Sequence, residues 1–344
     1  MNTINGYPCD QITEVKYAPT YTSPIIQQTI LLPGGGCAYY RAKKGDACTF
    51  CAFPGFTRDV IKGPGYENYF KSWKLGFQIY QAMFDELSRD NEHVDRIAIF
   101  NGGSFFPDSE LPIRFQNYVC EQVARHPKAR QLFVEAYPSF ISRSKLVQTL
   151  AGLGGKDLMV GIGFESKDDR VRNGLLNKSI DLSLFESKIK VMQELGVQTS
   201  VYVFLKAHEL TEWQAYEDVI NTLSYLHDLG VNEMALSCAF VPEGTKLEVK
   251  YQLGNFQPPW LWTIIDVVKE AQKKGWPLVV GGFDDTPPPI AGPSNCEVCN
   301  PVILDLIDQS RKTGVLSFQQ IPSCSCHALW EKDMADKRPY SRIF

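Results

Sequence analysis

Long apolar runs are missing from this chain, and so is any excess of positive charge. No stretch approaches the ~18 consecutive apolar residues of a membrane span. Met1 to Asp10 has neither the basic start nor the apolar core of a secretory leader. Lysine and arginine number 35 against 39 aspartates and glutamates, giving a formal net charge of -4 and an isoelectric point near 5.8. That balance excludes a generally basic, nucleic-acid-coating surface, although a local patch is compatible with it. Lys43 with Lys44, Lys71 with Lys74 and Lys273 with Lys274 are the paired lysines, and solvated surface is their ordinary explanation. Internal repeats and low-complexity segments are also lacking. The composition is globular, with 44% hydrophobic and 22% charged residues. A length of 344 residues suffices for one large α/β domain with an appendage, or for two ordinary domains. A cytoplasmic protein without a membrane partner is expected.

Cysteine is what stands out among the residues present. A reducing cytosol makes metal ligation or reactive thiols a better account of ten cysteines than disulfides. Seven of them fall in two clusters, leaving Cys9, Cys120 and Cys238 as ordinary thiols. In the segment from Gly36 to Cys51, ten residues separate Cys37 from Cys48 and two separate Cys48 from Cys51. Three thiolates are one short of a closed metal site. An iron-sulfur cluster is normally held by four cysteines, so a three-cysteine loop leaves one iron open to another ligand. Three unrelated thiols, or part of a zinc site, are the alternatives. The second cluster is Cys296 and Cys299, followed after 24 residues by Cys324, Cys326 and His327. Four thiolates there suit tetrahedral zinc or an auxiliary iron-sulfur cluster, and soft sulfur ligands exclude magnesium or calcium. His327 is a candidate to replace one cysteine, and unligated thiols are the alternative to both. A closed site would staple a short region whose own core is small.

Strand-like and helix-like patterns alternate along the chain. After a polar amino-terminal segment, the apolar run Gln28 to Leu32 ends in Pro33-Gly34-Gly35-Gly36 and delivers the first cysteine loop. Phe70, Trp73, Phe77, Tyr80, Phe84 and Leu87 draw a helical stripe. Arg96 to Phe100, Gln131 to Val134, Leu158 to Ile162, Thr199 to Leu205 and Met234 to Ser237 read as further strands. Helical patterns around Arg114 to Ala124, Ser144 to Ala151, Leu184 to Leu195 and Trp213 to Leu229 lie between them. Strands separated by helices favour a parallel sheet, because parallel strands need crossover connections. Pattern alone fits both a partial barrel and a doubly wound sheet. From about Gly254 the texture changes: Pro258-Pro259-Trp260-Leu261-Trp262 opens another helix, Trp276 to Val280 reads as a strand, and Pro287-Pro288-Pro289 leads to the second cysteine cluster.

Functional groups in barrel-like α/β proteins gather where strands end. After Phe100 comes Asn101-Gly102-Gly103-Ser104-Phe105-Phe106. Its glycines admit a ligand close to the backbone, and its carbonyls and the Ser104 hydroxyl can receive hydrogen bonds; an ordinary turn is the alternative. Glu135 and Ala136 follow the third strand, Gly163-Phe164-Glu165-Ser166 follows the fourth, and Asn177-Lys178 comes next. A strand-end carboxylate can accept hydrogen bonds from a ribose hydroxyl or a cationic amine.

In company with these motifs, the first cysteine loop resembles the cluster loop of the radical S-adenosylmethionine (SAM) superfamily, down to an aromatic residue, Phe50, before the last cysteine. The resemblance implies a partial (β/α)6 barrel over residues 1–253, including the amino-terminal segment, and a cysteine-containing accessory region over 254–344. It implies a 4Fe-4S cluster on Cys37, Cys48 and Cys51. SAM is then expected beside Phe50, Gly102, Gly103, Ser104 and Glu165, with Lys178 pairing its methionyl carboxylate. No side chain is assigned a catalytic role. The remaining motifs are Phe204-Leu205-Lys206 with Leu210-Thr211-Glu212, Pro242-Glu243-Gly244-Thr245, the Pro258 to Trp262 segment and Gly292-Pro293-Ser294-Asn295-Cys296. Together with the core motifs, from Gly36 to Trp330, they resemble one family, the radical SAM partner of archaeosine synthase, itself akin to the radical SAM domain of the Elongator catalytic subunit. That family implies radical C-N bond cleavage on a lysine-bearing 7-deazaguanine in tRNA, a lysine-transferring transglycosylase relative as partner, and a flavodoxin or ferredoxin as electron donor. Ala52-Phe53 departs from the Gly-Tyr of archaeal members. The alternatives are a radical SAM enzyme acting on a small amine metabolite or another modified base and, more distantly, a zinc-binding protein without radical chemistry.

Overall fold

The computed structural model describes residues 2–4, 7–33, 37–51, 75–282 and 288–338. Phe70, Lys71, Trp73 and Lys74 lie outside the described residues, as do Gly34, Gly35, Gly36, Ala52, Phe53 and Pro287. The chain divides into two compact units, one of Met1–Lys16, Ile25–Gly163 and Asp181–Ser200, the other of Tyr17–Pro24, Phe164–Ile180 and Val201–Phe344.

The first unit opens with β1 (Asn2–Ile4) and β2 (Tyr7–Lys16), a hairpin with Ile4 opposite Tyr7. These strands correct the reading of a merely polar segment. Gln11 to Val15 are all exposed, so β2 shows no buried alternate face from which its pairing is read. It runs antiparallel to β3 (Ile25–Leu31). Next come α1 (Ala38–Ala42), α2 (Phe77–Leu87), β4 (Arg96–Phe100), α3 (Ile113–Arg125), β5 (Gln131–Glu135), α4 (Arg143–Gly152), β6 (Asp157–Glu165), α5 (Leu182–Glu194) and β7 (Gln198–Leu205). Strands β3, β4, β5 and β6 are parallel neighbours, with Gln27 opposite Arg96, Arg96 opposite Gln131 and Gln131 opposite Asp157. That register aligns the strand starts, where Arg96 is fully buried and donates to Gln27 at 3.2 Å. It also aligns the strand ends, so the loops that leave them share one edge. Local capping delimits the helices: Ser142 accepts the Lys145 amide ahead of α4, and Asp181 accepts the Leu184 amide ahead of α5.

The second unit takes the last residues of β6 and β7, then α6 (Glu212–Asp228), β8 (Glu233–Cys238), α7 (Lys246–Gln252), α8 (Leu261–Lys274), β9 (Leu278–Val280), α9 (Asn300–Thr313) and α10 (Cys326–Met334). Strands β8 and β9 are parallel. A capping box of Thr211 and Gln214 starts α6, and Gly275 and Gly314 end α8 and α9 in the left-handed conformation. Cys120 and Cys238 are buried, and burial pushes both thiols up to about 12, as expected of packing residues.

Candidate functional site

In the first unit, the parallel register carries Leu31, Phe100 and Glu135 to the same edge, and the pairing continues into the loops. The Leu32 amide reaches the Phe100 carbonyl at 2.8 Å, Phe105 reaches Glu135 at 2.8 Å, and Ala136 reaches Gly161 at 2.9 Å. The loop after β3 bears Cys37, the extended residue that caps α1. Cys48 and Cys51 follow in a turn whose amide of Cys51 lies 3.4 Å from the Cys48 carbonyl. All three thiols and Phe50 are half-buried. Burial raises the Cys37 thiol, and the nearby Glu110 carboxylate adds to the rise. A multi-iron cluster places each thiolate on a separate iron, so three partly accessible thiols on one loop suit its donor chemistry.

The loop after β4 is built around Gly102, Gly103 and Ser104. Gly102 has φ of 65°, a conformation that favours glycine. Gly103 is closely packed: a Cβ there would overlap the Glu110 carboxylate, which would have to shift, and stand 3.2 Å from the Cys37 Cα. The Ser104 amide donates to Glu110, and the Ser104 hydroxyl accepts the Tyr137 amide at 3.0 Å. Tyr137 stacks on Tyr39 of α1 with ring centroids 5.5 Å apart. Cysteine loop, Gly-Gly-Ser loop and the segment after β5 are thus tied together within this unit. Sequence reading missed Glu110, for which only the glycine at 103 gave a signal.

In the second unit, Glu165 ends β6 with φ of 73° and is buried. Lys178, expected to face a methionyl carboxylate, here donates to Glu165 Oε1 at 3.0 Å. Burial raises the Glu165 carboxyl, and Lys178 opposes that rise. Asn177 and Ser179 flank the lysine with φ of 54° and 51°, so Lys178 is presented from a constrained loop. Next to Glu165, the Ser166 hydroxyl donates to Asp218 of α6 at 2.5 Å. Burial pushes Asp218 up to about 7, a feature no sequence motif announced.

The second cysteine cluster closes into a cage. Cys296 lies 3.6 Å from Cys299 and 3.4 Å from Cys324, while Cys326 lies 3.5 Å from both Cys299 and Cys324. All four sulfurs fall within 4.8 Å of one another, the single such group of ligating side chains among the described residues. Tetrahedral Zn–S bonds of about 2.3 Å place sulfurs about 3.8 Å apart, so the cage fits one tetrahedral ion. A four-iron cluster would spread the same sulfurs more widely. The thiols are driven apart: a backbone hydrogen bond from Cys299, then the Cys324 thiol, lower Cys296 to about 6, whereas burial raises Cys299 and pushes Cys326 up to about 12. His327 is not needed as a ligand: its ring lies 5.2 Å from that of Trp262 and 4.8 Å from that of Trp330, and its Nδ1 is 3.4 Å from Glu331.

No family model matches the chain. Among curated proteins, archaeosine synthase subunit beta of Methanosarcina acetivorans is 24% identical over 306 residues, covering 88% of this chain and 84% of that protein. The protein of the same name from Thermococcus kodakarensis is 25% identical over 321 residues, covering 88% and 90%. Among solved structures, Elp3 of Methanocaldococcus infernus with its amino terminus deleted superposes with a TM-score of 0.50 at 15% identity, over 72% of this chain and 61% of that one. This chain is therefore similar in sequence to archaeosine synthase beta subunits and similar in fold to Elp3. The expected partial (β/α)6 barrel with a cysteine-containing carboxy-terminal extension is the fold. No helix of the described residues is long and apolar enough to cross a membrane.

Proposed function

We propose that this protein is a radical SAM enzyme that acts on a lysine-bearing 7-deazaguanine in tRNA, cleaving a C-N bond to leave the amidine of archaeosine. The observation that carries the reading is the shared edge of the first unit, where Cys37 and the Gly-Gly-Ser loop are joined through Glu110. Relatives named archaeosine synthase subunit beta, matched along 88% of this chain, support the substrate. Their name also supports a partner subunit, for which a lysine-transferring transglycosylase relative is the candidate.

Cys37, Cys48 and Cys51 would hold a 4Fe-4S cluster. Such a cluster supplies the electron that splits SAM into methionine and a 5'-deoxyadenosyl radical, the hydrogen-abstracting species. Gly102 and Gly103 would leave backbone groups open to the methionyl moiety, and Phe50, half-buried beside Cys51, is the proposed aromatic neighbour of the cofactor. Glu165 and Lys178 are the proposed polar partners of SAM; because they already pair with each other, SAM binding requires Lys178 to exchange or share its carboxylate. The accessory region from about residue 254 carries the four-thiolate cage, for which zinc is the fitting ion.

The test supplies anaerobically reconstituted protein with SAM, reductant and lysine-modified tRNA, and reads archaeosine and 5'-deoxyadenosine by mass spectrometry. Both are expected, and Cys48→Ala should abolish them. A Cys37→Ala, Cys48→Ala, Cys51→Ala triple variant that still forms 5'-deoxyadenosine would sink the enzyme class. Vigorous SAM cleavage without a tRNA product would move the substrate to a small amine, a reading favoured by the net charge of -4.

A further inference from the structure

Glu110 belongs to no motif, yet it sits where two motifs meet. Its side chain is fully buried. Oε1 accepts the amide of Ala38, the residue after Cys37, at 2.9 Å, and Oε2 accepts the amide of Ser104, the residue after Gly103. Ser104 in turn receives the Tyr137 amide on its hydroxyl, so one carboxylate links the loops after β3, β4 and β5. The backbone that presents it is held from α3. Gln116 donates to the carbonyls of Phe106 at 3.1 Å and Leu111 at 2.9 Å, Asp108 accepts the Ile113 amide at 2.9 Å, and the Glu110 amide returns to Pro107 at 2.9 Å.

We propose that Glu110 is the positioning residue of the cluster site, holding the backbone behind Cys37 against the Gly102-Gly103-Ser104 loop at a fixed separation. This rests on the radical SAM reading and adds to it a residue that acts through the backbone amides of Ala38 and Ser104. Three observations converge on it. The carboxylate takes one amide from each loop, so it sets their spacing directly. At Gly103 the carboxylate occupies the place a Cβ would take and would have to shift to admit one, which gives the second glycine of the motif a reason independent of SAM. Burying a carboxylate is costly, and the Glu110 side chain is fully buried. A fold that needed only to fill this volume would be served by an apolar residue.

The length of the side chain makes the proposal specific. Gln keeps the length but turns an amide N–H toward one of the two donors, losing that hydrogen bond. Asp keeps the carboxylate but is one methylene short of spanning both amides. In either variant the Cys37 loop should lose its registry with the Gly-Gly-Ser loop while the strands and helices persist.

The experiment titrates SAM into the reduced, cluster-loaded protein and follows the change in the cluster's electron paramagnetic resonance spectrum, with iron content and thermal melting measured alongside. Glu110→Gln should keep its iron and melt near wild type, yet need about tenfold more SAM to convert the signal, as expected from losing a hydrogen bond to a charged group. If Glu110→Gln does not fold, Glu110→Asp decides with the same expected shift. A wild-type SAM midpoint in a folded, iron-loaded variant overturns the proposal. Loss of fold in both variants also overturns it, because the carboxylate is then architectural. If the wild-type spectrum itself ignores SAM, the radical SAM reading falls, an outcome distinct from a failure of Glu110 alone.

Discussion

Lys206, the residue that follows β7, donates its Nζ to the carboxylate of Glu212 on α6, and the two side chains are only 11% and 2% exposed. Around this pair the Pro258 to Trp262 segment is assembled. The Pro258 carbonyl faces Lys206 Nζ at 3.5 Å, the Trp260 amide donates to Glu212 Oε1 at 3.0 Å, and the Thr263 hydroxyl donates to the same oxygen. Trp330 of α10 donates its indole N–H to the Thr263 hydroxyl at 2.9 Å. Trp262 donates its own to Cys326 Sγ at 3.3 Å. The tryptophans of this motif therefore serve as hydrogen-bonded struts between the end of β7 and the four-thiolate cage.

Removing one member of such a pair leaves the other charge buried and uncompensated. Lys206→Met should destabilise the protein by about 3–5 kcal/mol, whereas adding Glu212→Leu to it should recover part of that loss. Urea midpoints of the two single variants and the double variant check this. Additive losses would show that the pair does not act as a unit.

The cage makes a separate prediction. Purified protein should carry one zinc in addition to cluster iron, and Cys326→Ala should lower the melting temperature far more than it lowers SAM cleavage, because a closed site contributes folding energy without an open coordination position. Elemental analysis and melting curves decide. Iron in place of zinc would reopen an auxiliary-cluster role for Cys296, Cys299, Cys324 and Cys326.

The six strands from β3 to β8 and helices α2 to α6 were legible because the strands are apolar enough to bury and the helices carry apolar residues at helical spacing, whereas the short α1 buries no residue and gave no such signal. The amino-terminal strands were not, since the exposed run Gln11 to Val15 carries no periodic signal. The four-thiolate cage was legible because sulfur ligands are rare and their spacing is chemical. Glu110, Asp218 and the Lys206 pair were not. A carboxylate in sequence gives no sign of burial, and only the fold shows that Glu110 lies under Gly103 or that Asp218 meets Ser166.

Asp218 supplies a pH test. Its folded pKa is raised to about 7 from an ordinary 3.8, chiefly by burial, so the native state keeps a proton that the unfolded chain has released. Stability from this group is unpenalised below about 4, falls as pH rises, and levels off above about 7. Asn at this position keeps an oxygen to accept the Ser166 hydroxyl and carries no charge. Asp218→Asn should therefore gain on the order of 1 kcal/mol or more over wild type at pH 8 and much less at pH 5, measured by urea unfolding at both values. A gain equal at the two pH values would contradict the assignment.

Lys178 and Glu165 give the last test, which separates structure from SAM recognition. Lys178 lowers the Glu165 pKa against the raising effect of burial, so Lys178→Met should drive that pKa further up. The unpaired carboxylate then resists ionisation in the folded state, and the resulting loss of stability grows as pH rises above its unfolded value near 4.5. Unfolding of Lys178→Met should show a deficit of a few kcal/mol at pH 8 and a smaller one at pH 5. Glu165→Gln added to it should flatten that dependence. If Lys178 also meets the methionyl carboxylate, the double variant, stable at both pH values, should still bind SAM at least about tenfold more weakly, since a charge-assisted hydrogen bond is lost. Wild-type SAM affinity in that stable double variant would confine Lys178 to its partnership with Glu165.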